Sequence, residues 1–242
     1  MNIYLSIYLH DCKLILFAGG GIIETSHYNC AFYISLITKF AEQRKIPIVY
    51  NSVGFNGDFE ENNSEYQILK QCLNSTQVRY VTVRENLSEM INKYGINAKL
   101  VSDSAVWSSE TYNITKENNS DIIGINIIRP GVFNEFGINF SKEQLFSYYL
   151  NLLNVLDEKD CKWELFTNGN PLDETFANEI IDNLNLPVIK KAERPLKGYD
   201  LLKILSKYKT VFCVRMHASI CSYSLYTKSR NWTINFQNNE FA

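Results

Sequence analysis

The chain has 242 residues, 45% hydrophobic and 21% charged, with a net charge of −2 and a pI near 6.0. That length supports one large or two small domains with their own cores, and the charge balance gives no reason to expect a nucleic-acid partner. No apolar run reaches the roughly 20 residues that a membrane span needs, and the start, MNIYLSIYLHDCK, lacks the basic region and cleavage site of a secretory signal, so a cytoplasmic protein is expected.

Strand-like and helix-like segments alternate from one end to the other, the pattern of parallel sheets with helical crossovers. Lys13–Ala18 (KLILFA) predicts a buried strand that stops at Gly19-Gly20-Gly21. A helix follows from about His27 to Arg44, with Phe32, Tyr33, Leu36, Ile37 and Phe40 at helical spacing. Pro47–Val53 is the next strand, stopped by Gly54, and residues 64–73 are helical. Arg79–Arg84 (RYVTVR) is a strand and Glu85–Tyr94 a short helix ended by Gly95. Lys99–Val101 is a short strand running into Ser102-Asp103.

Between Ser108 and Ser120 the chain turns polar (SSETYNITKENNS). This divides it into an N-terminal α/β lobe, 1–112, a linker, 113–120, and a C-terminal α/β lobe, 121–242. Asp121–Ile128 is strand-like and ends in Arg129-Pro130-Gly131. Ser141-Lys142-Glu143-Gln144 is a capping box opening a helix whose Leu145, Phe146, Tyr149, Leu152, Leu153 and Leu156 share a face. Trp163–Thr167 is a strand leading to Asn168-Gly169-Asn170, and a helix covers about Asp173–Leu184. Pro187–Lys190 predicts a short strand, Asp200–Tyr208 a helix and Thr210–Val214 the last clear strand. The basic run from Lys190-Lys191 to Lys197 reads as a solvated loop.

The last strand is the most informative. Its apolar run, Val211-Phe212-Cys213-Val214, ends at Arg215-Met216-His217, and a small-residue helix pattern begins at once. Ligands of open α/β sheets bind at such strand ends, beside the positive end of the next helix. Arg84 ends its own strand in the same way, Arg129 and Asn168 end two others, and Asp103 follows a fourth. An arginine there can hold phosphate or carboxylate in bidentate fashion, whereas Arg84 could instead pair with Glu85 or Glu89. Gly19-Gly20-Gly21 lets backbone amides approach a ligand, with Glu24 three residues on. Polar residues at so many strand ends point to a ligand cleft. No G-x-G-x-x-G, Walker or G-x-S-x-G motif is present. The six cysteines and three histidines form no metal-ligand spacing, so free thiols and no metal are expected.

Taken in order, the segments KLILFAGGGIIE, PIVYNSVGFNG, VRYVTVRENLSEMINKYGINAKLVSDSAVW, IIGINIIRPGVF, ELFTNGNPLDETFANEI and LLKILSKYKTVFCVRMHASICSYSL resemble the polysaccharide pyruvyl transferase family. The resemblance implies two Rossmann-like lobes similar to the GT-B architecture. It implies transfer of pyruvate from phosphoenolpyruvate to a sugar or lipid-linked saccharide as a ketal. Phosphoenolpyruvate is then the donor substrate, with no separate cofactor, and peripheral association with a membrane is compatible with such an acceptor. By position, Arg84, Arg215 and His217 match family residues tied to donor binding and catalysis, with His217 as general acid/base. Glu24 stands near an acidic position after the glycines.

Two departures accompany the resemblance. Only about 12 residues precede the glycine strand, and after SYSL the chain reads YTKSRNWTINFQNNEFA. Lobes shortened at both ends, with exposed sheet edges, are therefore expected. Two other readings stand beside the transferase: a nucleotide-sugar glycosyltransferase of similar architecture, and a truncated, non-catalytic remnant.

Overall fold

The computed structural model describes residues 11–25, 29–56, 60–85, 90–135, 137–184, 190–231, 234–235 and 240–241. The chain divides into two compact units, Met1–Ser104 and Ala105–Ala242. That division precedes the polar stretch read as the linker. Residues 105–112 stay with the second unit because Ala105 packs on its core and Ser109 Oγ donates to the Ser224 carbonyl at 2.6 Å. Glu117, inside the stretch itself, donates its amide to the Ser206 carbonyl.

In the first unit the order is β1 (Ile15–Ala18), β2 (Ile23–Glu24), α1 (Cys30–Arg44), β3 (Ile48–Val53), β4 (Phe55–Asn56), α2 (Ser64–Leu73), β5 (Val78–Val83) and β6 (Lys99–Leu100). Strands β1-β3-β5-β6 form a parallel sheet in that order, and β2 pairs with β4 beyond its C-terminal edge. The core lies under the two helices, where Ile48, Tyr50, Val81 and Val83 meet Leu69 and Leu73. Helix α1 sits on it through Ala31, Ile34, Thr38 and Ala41. Phe32 and Tyr33, expected on that face by their spacing, are exposed, whereas Phe40 is buried as expected. The expected helix over Glu85–Tyr94 appears as a π turn at Met90–Tyr94, and residues 86–89 lie outside the described set.

The second unit begins with α3 (Ser108–Tyr112) and continues with β7 (Ile123–Asn126), α4 (Val132–Glu135), α5 (Lys142–Glu158), β8 (Trp163–Phe166), α6 (Pro171–Asp182), α7 (Gly198–Ser206), β9 (Thr210–Cys213), α8 (Met216–Ser224) and β10 (Lys228–Asn231). A short antiparallel pair, β11 (Ile234–Asn235) with β12 (Glu240–Phe241), closes it. The predicted capping box opens α5: Ser141 accepts from the Gln144 amide, and Gln144 answers to the Ser141 amide. Most of the expected strand Pro187–Lys190 lies outside the described residues, and Lys191 bridges Leu165 just after it. Strand β10 was not anticipated, because KSRN is polar and sits at the sheet edge, where no second face has to be apolar.

The second sheet is parallel throughout, in the order β10-β9-β7-β8. Both faces are covered, as parallel sheets require. Leu145, Tyr149, Leu153 and Phe176 of α5 and α6 pack one face. Leu202, Leu205 and Ala218 of α7 and α8 pack the other, with Val211 and Cys213 of β9. Burial pushes the Cys213 thiol up to about 12, so it stays a protonated packing group.

Strand β7 has its sequence successor β8 on one side and β9 on the other. The order therefore reverses between β7 and β9, and the crevice at their C-terminal ends is the topological switch point. Close fit to β7 also fixes Gly124: a Cβ there would lie 2.3 Å from the Tyr208 ring. Tyr208 is fully buried and donates to Glu164 at 2.6 Å, so it has no room to move. Gly124→Ala is expected to lower stability by about 1–3 kcal/mol, the range for overpacking a core. A denaturant midpoint unchanged from the parent would contradict this packing.

Candidate functional site

At the switch point the sequence places Asn126 as the last residue of β7 and Arg215 just beyond β9. The fully buried Asn126 side chain ties the two strand ends together. Its Oδ1 accepts the Arg215 amide at 3.0 Å, and its Nδ2 donates to Asn168 Oδ1 at 3.1 Å. Asn126's own carbonyl accepts the Tyr149 hydroxyl, which in turn accepts the Ile128 amide. Burial raises the Tyr149 phenol above its ordinary value, keeping it the neutral donor that this bond needs.

The centre of the network is Asp173, fully buried in the first turn of α6. Its Oδ2 accepts Arg215 Nε at 2.7 Å, and its Oδ1 accepts Arg215 Nη2 at 2.8 Å and the Arg129 amide at 2.9 Å. A carboxylate so near a helix N-terminus also gains from the helix dipole. Asp173 thus occupies the Nε–Nη2 edge of the guanidinium. The Nη1–Nη2 edge is left over, and no partner for Nη1 occurs among the described residues. The Arg215 side chain as a whole is 26% exposed, against 0% for Asp173. A planar guanidinium fixed on one edge can receive a second carboxylate or a phosphate on the other.

His217 follows two residues on, in the first turn of α8, and is exposed. Ala218 is buried beneath it, so Met216 and His217 face outward at the helix's positive end. Arg129 is anchored by its main chain to Asp173, while its guanidinium turns to Glu135 at 2.6 Å. Asn168 lines a cavity of about 240 Å³ with Gly169, Arg194, Pro195 and Lys197.

The first unit has its own arrangement. Gly19 and Gly20 adopt φ of +65° and +76°, a turn that favours glycine, and their backbones meet Asn51 and Gly54. Arg84 leaves the end of β5 and passes Gly54, where a Cβ would lie 2.8 Å from its Nε and Nη2. Nη1 pairs with Asp103 at 2.6 Å, and Nε lies 3.5 Å from Glu85. Only 9% of the Arg84 side chain is exposed, against 26% for Arg215. Asp103 is therefore a partner of Arg84. Gly21 is the glycine nearest on the loop side, its Cβ position 4.0 Å from Arg84 Nη2. Glu24 is buried on β2.

Of the predicted residues, Arg129, Asn168, Arg215 and His217 gather at the second unit's switch point. Gly19, Gly20, Gly21, Glu24 and Arg84 gather around the β1 and β5 ends of the first. The sequence reading missed Asn126 and Asp173. Asn126 gave one signal, a lone amide ending an apolar strand, whereas Asp173 is indistinguishable from an ordinary first-turn acid.

Compared with known protein families, the chain matches polysaccharide pyruvyl transferase over residues 1–229. That span includes both the glycine turn and the Arg215–His217 segment. No curated protein matches the chain.

Proposed function

The chain belongs to the polysaccharide pyruvyl transferase family, a family of transferases acting on saccharides, and from that premise we propose that its donor is phosphoenolpyruvate. The observation that carries this reading is the free guanidinium edge of Arg215, held by buried Asp173 beside exposed His217. Phosphoenolpyruvate brings a carboxylate and a phosphate. The free edge of Arg215 binds one of them, and the positive end of α8 favours the other. Arg129, released from Glu135, and Asn168 complete the second unit's binding set.

In the proposed reaction His217 donates a proton to the enol methylene carbon, which becomes a methyl group, and positive charge develops at the adjacent carbon. A sugar hydroxyl adds there and returns a proton to the now neutral His217. Phosphate then departs with the electrons of its C–O bond, and a second hydroxyl adds in its place to close the ketal, its proton passing to the released phosphate. In the first unit, the Gly19–Gly21 turn, Glu24 and Arg84 are assigned to substrate binding, with Arg84 acting from behind the turn. The acceptor class is a sugar or lipid-linked saccharide of a polysaccharide precursor, met in the cytoplasm. No helix among the described residues is long and apolar enough to cross a membrane.

Thermal unfolding with added ligands tests the donor. Phosphoenolpyruvate at a hundred times its Kd should stabilise the protein by about 2.7 kcal/mol, and Arg215→Lys should weaken that response. Stabilisation by a nucleotide-sugar instead would favour the glycosyltransferase reading. Stabilisation by neither would favour a non-catalytic remnant.

A further inference from the structure

The net charge of −2 conceals one strongly basic stretch. Residues 190–209 hold seven lysines and arginines against two acids, a local balance of +5. Lys191 is spent internally on Glu174 at 2.6 Å. The others have no ion pair among the described residues, whereas Lys70, Lys142 and Lys162 elsewhere each have one.

The fold gathers these cations on one side. Leu201, Leu202 and Leu205 turn α7 toward the core, which leaves Tyr199, Lys203 and Lys207, four residues apart, along its outer side. Lys203 Nζ lies over the Tyr199 ring at 4.8 Å. Ahead of the helix stand Arg194, Lys197 and Leu196, the last 77% exposed. At its far end, Lys116 Nζ donates to the Lys209 carbonyl, and Lys228 pairs in register with Thr210. Burial and the nearby Lys228 hold the Lys116 ammonium below its ordinary value, a sign that like charges crowd there. Acids offset part of this: Asp200, which accepts the Leu196 and Lys197 amides, acts on Lys203, and Asp121 acts on Lys209, but the run keeps its +5 balance with Glu193 and Asp200 counted.

We propose that the outer face of α7, from Arg194 to Lys209 with Lys116 and Lys228, docks the protein on an anionic lipid surface. Lysines with long apolar stems and unpaired heads suit a headgroup layer, and Leu196 and Tyr199 at one end suit its boundary with the acyl chains. A lipid surface fits better than nucleic acid, because the Tyr199 ring is already engaged, under Lys203 and edge-on against Tyr112, rather than open for base stacking. The contact is mainly electrostatic, hence reversible and weakened by salt. The basic run that reads as a solvated loop in the sequence is one end of this face. The inference stands on charge and exposure alone and does not depend on the identity of the donor.

Co-sedimentation of the full chain with vesicles tests it. Mixed phosphatidylglycerol–phosphatidylcholine vesicles should bind the protein, phosphatidylcholine alone should not, and added salt should release it. Lys203→Glu with Lys207→Glu should weaken binding by tenfold or more, with the circular dichroism melting curve unchanged. Lys39→Glu with Lys45→Glu, an equal charge change in the first unit, should leave binding intact. Failure of the parent protein to bind anionic vesicles would overturn the proposal. So would retained binding in the α7 variant, equal loss in the first-unit variant, or release of the protein from vesicles by an equal charge of single-stranded oligonucleotide.

Discussion

Arg215→Ala is expected to lower the stability of the second unit by about 3–5 kcal/mol, besides abolishing donor binding. Asp173 is fully buried and receives two of its three hydrogen bonds from the Arg215 side chain. Truncation leaves a carboxylate in the core with only the Arg129 amide, and an uncompensated buried charge costs far more than a lost surface pair. Replacing both partners by apolar residues of similar volume, Arg215→Met with Asp173→Leu, should recover most of the loss, because no buried charge remains. All three tryptophans lie in the second unit, so their fluorescence during urea unfolding reads this unit directly. A loss under about 1 kcal/mol for Arg215→Ala, or a double variant as unstable as the single, would break the account. The consequence for function is practical. Inactivity of Arg215→Ala mixes two effects, whereas Arg215→Lys keeps the charge but lacks the second edge, and so separates binding from folding.

This coupling shows where sequence reading stops. Strands β1, β3, β7 and β8 were legible because each is a short apolar run closed by glycine, by Arg-Pro or by Asn-Gly, and β5 and β9 because β-branched runs stop at an arginine. The second sheet buries both faces, and so its strands leave nearly continuous apolar signals. The position of Arg215 and His217 was legible for the same reason: polar residues that follow such a run must emerge at the sheet's edge. Their partner was not. Asp173 stands 42 residues from Arg215, and its place in a helical first turn looks like routine capping. Arg84 gives the converse case. It ends a strand as Arg215 follows one, but two glycines and two carboxylates enclose it, a difference of packing that spacing does not encode. The polar run 113–120 illustrates a related point. Polarity marks surface, and a surface segment still belongs to whichever core its backbone bonds to.

His217→Gln is expected to slow ketal formation by about 10²–10⁴-fold while leaving phosphoenolpyruvate binding and stability nearly unchanged. The side chain is exposed in the first turn of α8, and the packing of that turn is carried by Ala218, so glutamine disturbs no core contact. Glutamine keeps the hydrogen-bonding capacity and loses the transferable proton. The arrangement around it makes this separation clean. Arg215 reaches inward to Asp173 and, on the proposed reading, sets the donor's position, whereas exposed His217 acts on what the arginine holds. Donor-induced thermal stabilisation should therefore survive in His217→Gln and weaken in Arg215→Lys, and product formation should fall in both. If His217→Gln loses the donor response, the imidazole binds rather than transfers a proton. If its rate falls less than tenfold, the proton reaches the methylene carbon from another group, and His217 has no catalytic role.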